Sequence, residues 1–220
     1  DQIEVFTGQP SKIIVAFGDS ITAMNRWVKP LQRRLFDAYG GDYALMNAGI
    51  GGNCLLYDIP GLMGVSYGEK GVSRFERDVL RFSELCGVIL ALGVNDVAYY
   101  SQKTGAVISL EQYGSAVTDI VDRLHKAGAR VIAQTLPPRS GFVKKGYTPE
   151  MEALRVRINE WIRDSALFDY MVDADALLRD PKNPSFTDER YHQGDHLHPN
   201  QAGGMLLAQA YDLQKLTGEA

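Results

Sequence analysis

Short apolar runs that each stop at a glycine-rich polar turn set the main limit on how this chain can fold. Ile13-Ile14-Val15-Ala16-Phe17 stops at Gly18, with Asp19-Ser20 behind it. Tyr43-Ala44-Leu45-Met46 runs to Asn47 and then into Gly49-Ile50-Gly51-Gly52-Asn53. Val88-Ile89-Leu90-Ala91-Leu92 stops at Gly93, ahead of Val94-Asn95-Asp96. Unbroken runs of this length suit strands buried on both faces. Between them the apolar residues recur at helical spacing. Trp27, Leu31, Leu35 and Phe36 mark a helix stopped by Gly40-Gly41, and Phe75, Val79 and Phe82 mark another over 72–82.

The second half keeps the alternation. Tyr113, Val117, Ile120, Val121 and Leu124 form a helical stripe closed by Gly128, and Arg130 to Gln134 reads as strand four, followed by Pro137-Pro138. A helix over 151–167, a short strand over 170–172 and a proline-opened terminal helix over 199–216 complete the chain. Strand and helix in turn predict an α/β fold with a five-stranded, mostly parallel sheet covered on both faces. Ligands of such sheets bind beyond the carboxyl ends of the strands, where all three polar turns should gather.

The chain's 220 residues are read as one domain, 1–220, large enough to hold a rigid site. The net charge of -4, with basic residues scattered among acidic ones, gives no field for nucleic acid. No run of about 18 apolar residues offers a membrane span. The start, Asp1-Gln2-Ile3-Glu4, has neither an initiator Met nor a signal pattern and suggests a trimmed or processed chain. Secreted or cell-envelope placement is favoured over cytoplasmic. Cys54 and Cys86 make no disulfide framework and no zinc signature, and are read as free thiols. Oligomeric state is not encoded in any pattern here.

The turns carry the residue types that acyl transfer needs. A serine hydroxyl becomes a nucleophile when a neighbouring base takes its proton. Ser20 is the candidate nucleophile and His198 the base, and Asp195, three residues earlier in Gly194-Asp195-His196-Leu197-His198-Pro199, is placed to fix the ring's tautomer. The backbone N–H groups of Ser20 and Gly52 and the side-chain amide of Asn95 are the oxyanion donors, each worth roughly 3 kcal/mol. No cofactor and no metal is called for.

Each residue has a plainer alternative. Ser20 alone would read as a helix cap, Asp19 as a turn residue bonding backbone amides, and Asp96 as a cap for the turn after it. His192, Asp195, His196 and His198 could instead ligate a metal, although histidines at alternate positions do not by themselves build a tetrahedral site. Without a metal, His192 and His196 line the rim or face solvent. Gly64-Val65-Ser66-Tyr67-Gly68 matches the G-x-S-x-G elbow but lacks the preceding strand that motif requires. The aromatics Trp27, Tyr57, Tyr67, Tyr99, Tyr100 and Phe142 neighbour the turns and offer a platform for a sugar ring.

Phe-Gly-Asp-Ser at 17–20, the Gly52 turn, Gly-Val-Asn-Asp at 93–96 and Asp-His-Leu-His-Pro at 195–199 together resemble the ordered blocks of the SGNH (GDSL-like) hydrolases. The resemblance spans almost the whole chain. It implies a flavodoxin-like three-layer α/β/α sandwich and assigns the roles above to Ser20, Gly52, Asn95, Asp195 and His198. The tandem Gly51-Gly52 leaves the oxyanion glycine open by one residue; Gly52 is taken because it directly precedes the polar Asn53. Asn47 to Asn53 and Arg74-Phe75-Glu76-Arg77-Asp78-Val79-Leu80 are most similar to an acylhydrolase/arylesterase branch of polysaccharide-degrading bacteria. That implies a serine esterase acting on short-chain acyl esters, acetyl first, of carbohydrates. A lysophospholipase-like lipid esterase or a thioesterase is the alternative on the same site. A metal-dependent hydrolase and a non-catalytic carbohydrate-binding module are the alternatives of other classes.

Overall fold

The computed structural model of the chain describes residues 10–59, 67–98, 107–142 and 146–219. Five strands form one sheet: β1 (Lys12–Gly18), β2 (Tyr43–Gly49), β3 (Leu85–Ala91), β4 (Arg130–Gln134) and β5 (Tyr170–Val172), in the order β2-β1-β3-β4-β5. Every neighbouring pair is parallel. This is the doubly wound order of the flavodoxin-like fold, and its switch point lies between β1 and β3. The helices are α1 (Ser20–Ala23), α2 (Val28–Tyr39), α3 (Gly71–Phe75), α4 (Leu110–Lys126), α5 (Pro149–Asp164), α6 (Ala174–Leu178), α7 (Gln201–Ala210) and α8 (Leu213–Thr217). Residues 94–98 add a helical turn after β3.

Alternate residues of each strand feed two cores. Val15 and Phe17 of β1, with Val88, Val131 and Ala133, pack against Phe75, Val79 and the apolar stripes of α4 and α5. Ile14 and Ala16, with Ile89, Ile132 and Val172, pack against Leu31 and Leu35 of α2 and Leu207 and Ala208 of α7. A fully buried Leu, Ile or Phe in either layer contributes about 1.5–3 kcal/mol. The expected sheet covered on both faces is present.

The differences from expectation have local causes. Phe36 points outward, 55% exposed, because the inner stripe of α2 runs Val28, Leu31, Leu35. The helix expected over 72–82 begins as α3 and widens into a π-helical turn at Glu76–Leu80. The single terminal helix expected over 199–216 is two helices. Arg34 donates to the carbonyls of Ala208 and Tyr211, and Asp212 caps α8 by accepting from the Lys215 N–H, so the chain restarts there. Pro199 sits outside the helix, and Asn200 is the N-cap of α7. Cys54 is buried and Cys86 half-buried, both as free thiols. Among the described residues, no helix is long and apolar enough to cross a membrane.

Candidate active site

β1 delivers Ser20 to the carboxyl edge of the sheet. Asp19 turns the chain into α1 and accepts from the Ile21 N–H at 2.9 Å, so the capping job belongs to Asp19 and the Ser20 hydroxyl is left for another partner. That partner is His198, whose Nε2 lies 2.8 Å from Ser20 Oγ. On the other side of the ring, Nδ1 lies 2.6 Å from Asp195 Oδ2. Burial raises the Asp195 pKa, but hydrogen bonds from the His198 ring and from the Leu197 and His198 backbone outweigh it, leaving about 2. An ionised carboxylate only accepts, so Nδ1 carries the proton and Nε2 accepts from the Ser20 O–H.

The His198 loop is held largely by its own hydrogen bonds. Asp195 Oδ1 accepts from the Leu197 and His198 N–H groups at 3.1 and 2.9 Å. His192, which was expected at the rim or in solvent, is buried instead: its Nδ1 accepts from the Gly194 N–H at 2.9 Å and the His196 N–H at 3.2 Å. Its Nε2 is buried without a hydrogen-bond partner among the described residues. Among the described residues, no three His, Cys, Asp or Glu side chains gather as a metal-ligand set. His196, in left-handed backbone at φ 60, lies against the His192 ring at 4.3 Å, tilted by 44°. His125 is a surface residue, paired with Asp169 at 3.0 Å.

The turns after β2 and β3 meet the Ser20 turn because their strands flank β1, with Gly18 in register with both Gly49 and Ala91. The Ile50 N–H donates to Gly18 O at 3.1 Å. Asn53 N–H then closes a turn on Ile50 O, with Gly52 third in it at φ 74, where a type II turn takes glycine. A Cβ at Gly52 would also stand 2.6 Å from the Tyr67 ring, whereas one at Gly51 would meet nothing within 4 Å. The position that demands glycine is therefore 52. Asn95, 3% exposed, donates from Nδ2 to Asn53 O at 3.0 Å, which sets its amide beside that turn.

Buried polar side chains brace these turns, and most carried no role in the sequence reading. Asp96, expected to cap its own turn, reaches across instead and accepts from the Leu55 and Leu56 N–H groups at 2.8 Å each. Burial nevertheless pushes its pKa up to about 7. Arg74 is fully buried, with its guanidinium over the Phe17 ring at 4.1 Å. It donates to Gly18 O at 3.0 Å, Ala48 O at 2.8 Å, Asn53 Oδ1 at 3.0 Å and Asp78 at 3.0 Å, tying the ends of β1 and β2 to the Gly52 turn. Its sequence signals were the Arg74–Leu80 block and, within it, an Arg-x-x-x-Asp pair beside Phe75 and Val79. Asn47 adds a brace, donating to Thr22 O at 2.8 Å and Asn25 Oδ1 at 2.7 Å.

The aromatic set divides. Trp27 is core, fully buried and stacked on Tyr211 at 5.5 Å. Phe142 stands edge-on to the His198 ring at 5.7 Å, and Tyr67 lies against Gly52. Tyr99, Tyr100 and the Ser66 of the elbow-like motif lie outside the described residues.

Known proteins share this fold. An acetyl xylan esterase structure is 23% identical, over 90% of this chain and 96% of that one, with a TM-score of 0.64. A catalytic mutant of an acetylxylan esterase from Geobacillus stearothermophilus is 19% identical, over 97% and 96%, with a TM-score of 0.66. A GDSL-like lipase from Bacteroides thetaiotaomicron is 18% identical, over 93% and 89%, with a TM-score of 0.64. At these identities the likeness is one of fold. No curated protein matches the sequence. The model of the GDSL-like lipase/acylhydrolase family matches residues 16–205, from within β1 to within α7. The chain belongs to that family and is a carboxylic ester hydrolase.

Proposed function

We propose that the chain is a serine esterase that removes short acyl groups, acetyl above all, from carbohydrate esters through an acyl-enzyme intermediate. The observation that carries this reading is the unbroken hydrogen-bond chain Ser20–His198–Asp195, 2.8 and 2.6 Å long, at the edge where the Gly52 and Asn95 turns converge. Ser20 attacks the ester carbonyl as His198 takes its proton, and Asp195 stabilises the imidazolium that forms. The N–H groups of Ser20 and Gly52 and the Asn95 amide hold the oxyanion. His198 then protonates the leaving alcohol, and water, activated by the same ring, releases the acid. A non-catalytic binding module would have no use for a hydroxyl hydrogen-bonded to a carboxylate-held imidazole. Acetyl and carbohydrate are favoured because acetyl xylan esterases stand among the proteins of like fold.

Ser20→Ala tests the nucleophile. On p-nitrophenyl acetate we expect kcat to fall by about 10⁴-fold or more, and undiminished turnover would sink the reading. An acyl-chain series run beside acetylated xylo-oligosaccharides tests the substrate. Preference for long acyl chains or thioesters would move the assignment to lipid or thioester hydrolysis on the same site.

A further inference from the structure

The geometry points to Arg139 as a positioning residue: we infer that its guanidinium fixes the direction of the Asn95 carboxamide, and with it the N–H offered to the oxyanion. The inference rests on the oxyanion reading of Asn95 given above. Arg139 lies in the loop after β4 and is 2% exposed. Its Nη1 is 3.3 Å from Asn95 Oδ1. A guanidinium has donors only, so only the carboxamide oxygen can face it. The Asn53 carbonyl, 3.0 Å from Nδ2, accepts only, so only the NH₂ group can face that side. The two partners select the same one of the amide's two flips. One Nδ2 hydrogen goes to Asn53, and the second is left in a fixed direction.

The loop that carries Arg139 is held on both sides. Leu136 donates to Asn159 Oδ1 at 2.7 Å, and its carbonyl accepts from Asn159 Nδ2 and Arg155 Nη1 at 2.8 Å each. On either side of Arg139, Pro138 O accepts from Thr187 Oγ1 at 3.2 Å and the Ser140 N–H donates to Ser185 O at 3.1 Å. The guanidinium also lies 5.0 Å from the Phe142 ring, which meets His198 edge-on. The cation therefore bonds Asn95 and reaches His198 only through the Phe142 ring. Burying a guanidinium costs free energy that an apolar side chain of similar length would not. A charge placed here, preorganised behind the group that meets the developing negative oxygen, favours the transition state over the neutral ester.

The test is a double-mutant cycle on the purified full chain, reading kcat and KM on p-nitrophenyl acetate together with thermal midpoints. Asn95→Ala should lower kcat by about 100-fold. Arg139→Met should lower kcat by about 10-fold with KM within about twofold, because a misaimed donor is lost from the transition state and not from substrate binding. Arg139→Lys, which keeps a charge and a donor, should lose less. In the Asn95→Ala background the Arg139 substitutions should change kcat by less than about twofold. Equal losses from Arg139→Met in both backgrounds, or a change in KM alone, would overturn the inference while leaving Asn95 in its role. A kcat untouched by Asn95→Ala would instead overturn the oxyanion reading. If Arg139→Met does not fold, Arg139→Lys carries the same cycle, with a loss of about threefold that vanishes beside Asn95→Ala.

Discussion

The two halves of the site are built in opposite ways. The His198 half is one loop in which Asp195, Leu197 and His198 are hydrogen-bonded to one another within four residues, and the Asp195 side chain remains 27% exposed. The oxyanion half joins turns from β2 and β3 that are some forty residues apart, through Asp96 bonded to Leu55 and Leu56 and Asn95 bonded to Asn53. Arg74 sits beneath both β1 and β2, fully buried. Local bonds cost little chain entropy to close, whereas long-range ones survive only where buried polar groups are fully paired. In this molecule chemistry and stability should therefore come apart in the first half and travel together in the second.

The largest expected effect tests the first half. His198→Ala should lower kcat on p-nitrophenyl acetate by about 10³–10⁵-fold, with unfolding free energy changed by less than about 1.5 kcal/mol. Arg74→Met tests the second. It removes a donor from each of Gly18 O, Ala48 O and Asn53 Oδ1 in a buried place and should cost about 3–5 kcal/mol in urea unfolding, with activity falling alongside. If His198→Ala destabilises as much as Arg74→Met, the division between the halves is gone.

A smaller effect sharpens the oxyanion half. Gly52→Ala puts a Cβ into left-handed backbone and against Tyr67, a strain of about 1–2 kcal/mol before any steric term. We expect kcat to drop about 10- to 100-fold, while Gly51→Ala, opening onto free space, stays near the parent rate. A larger loss at Gly51 would shift the oxyanion donor by one residue.

The contrast also explains what the sequence made legible. The five strands and the helices that cover both faces of the sheet followed from apolar runs that physics reads directly, since run length and a period of 3.6 are local properties. Ser20, Asp195, His198, Asn95 and Gly52 stood out as small polar residues and glycine after strands, or as a carboxylate three positions from a histidine. The braces did not. Arg74 and Asp96 fall within motif blocks and Arg139 in none, but nothing within five residues of any of them names the carbonyls and amides they bond 21 to 56 positions away. The split of the last helix was hidden for the same reason, since Arg34 of α2 takes up the carbonyls that end α7. Long-range polar pairing is a property of the assembled fold, and these positions become readable only once the sheet order is known.

Asp19 belongs to neither half and gives the finest test of both. It is 2% exposed, and burial raises its pKa to about 6, against the pull of the Ile21 N–H and the positive fields of His198, Arg139 and Arg74. An unfolded Asp releases its proton near 4. Between about pH 4 and 6 the folded chain therefore keeps a proton that the unfolded chain has lost, and this carboxyl's contribution to stability declines as pH rises through that window. Asp19→Asn can still accept from Ile21 but has no charge to bury. Its stability relative to the parent should therefore improve by about 2–3 kcal/mol from pH 4 to pH 7 and then level off. Urea unfolding of both proteins at pH 4.5 and 7.5 measures this. Parallel pH curves would mean that Asp19 is not strained by its burial. A relative gain of the stated size would mean that the fold holds a carboxylate beside His198 at a cost in stability. Such a cost has a use there, because an ionised Asp19 favours the imidazolium that forms as Ser20 gives up its proton. Above pH 6, Asp19→Asn should then pair its gain in stability with a several-fold loss in kcat.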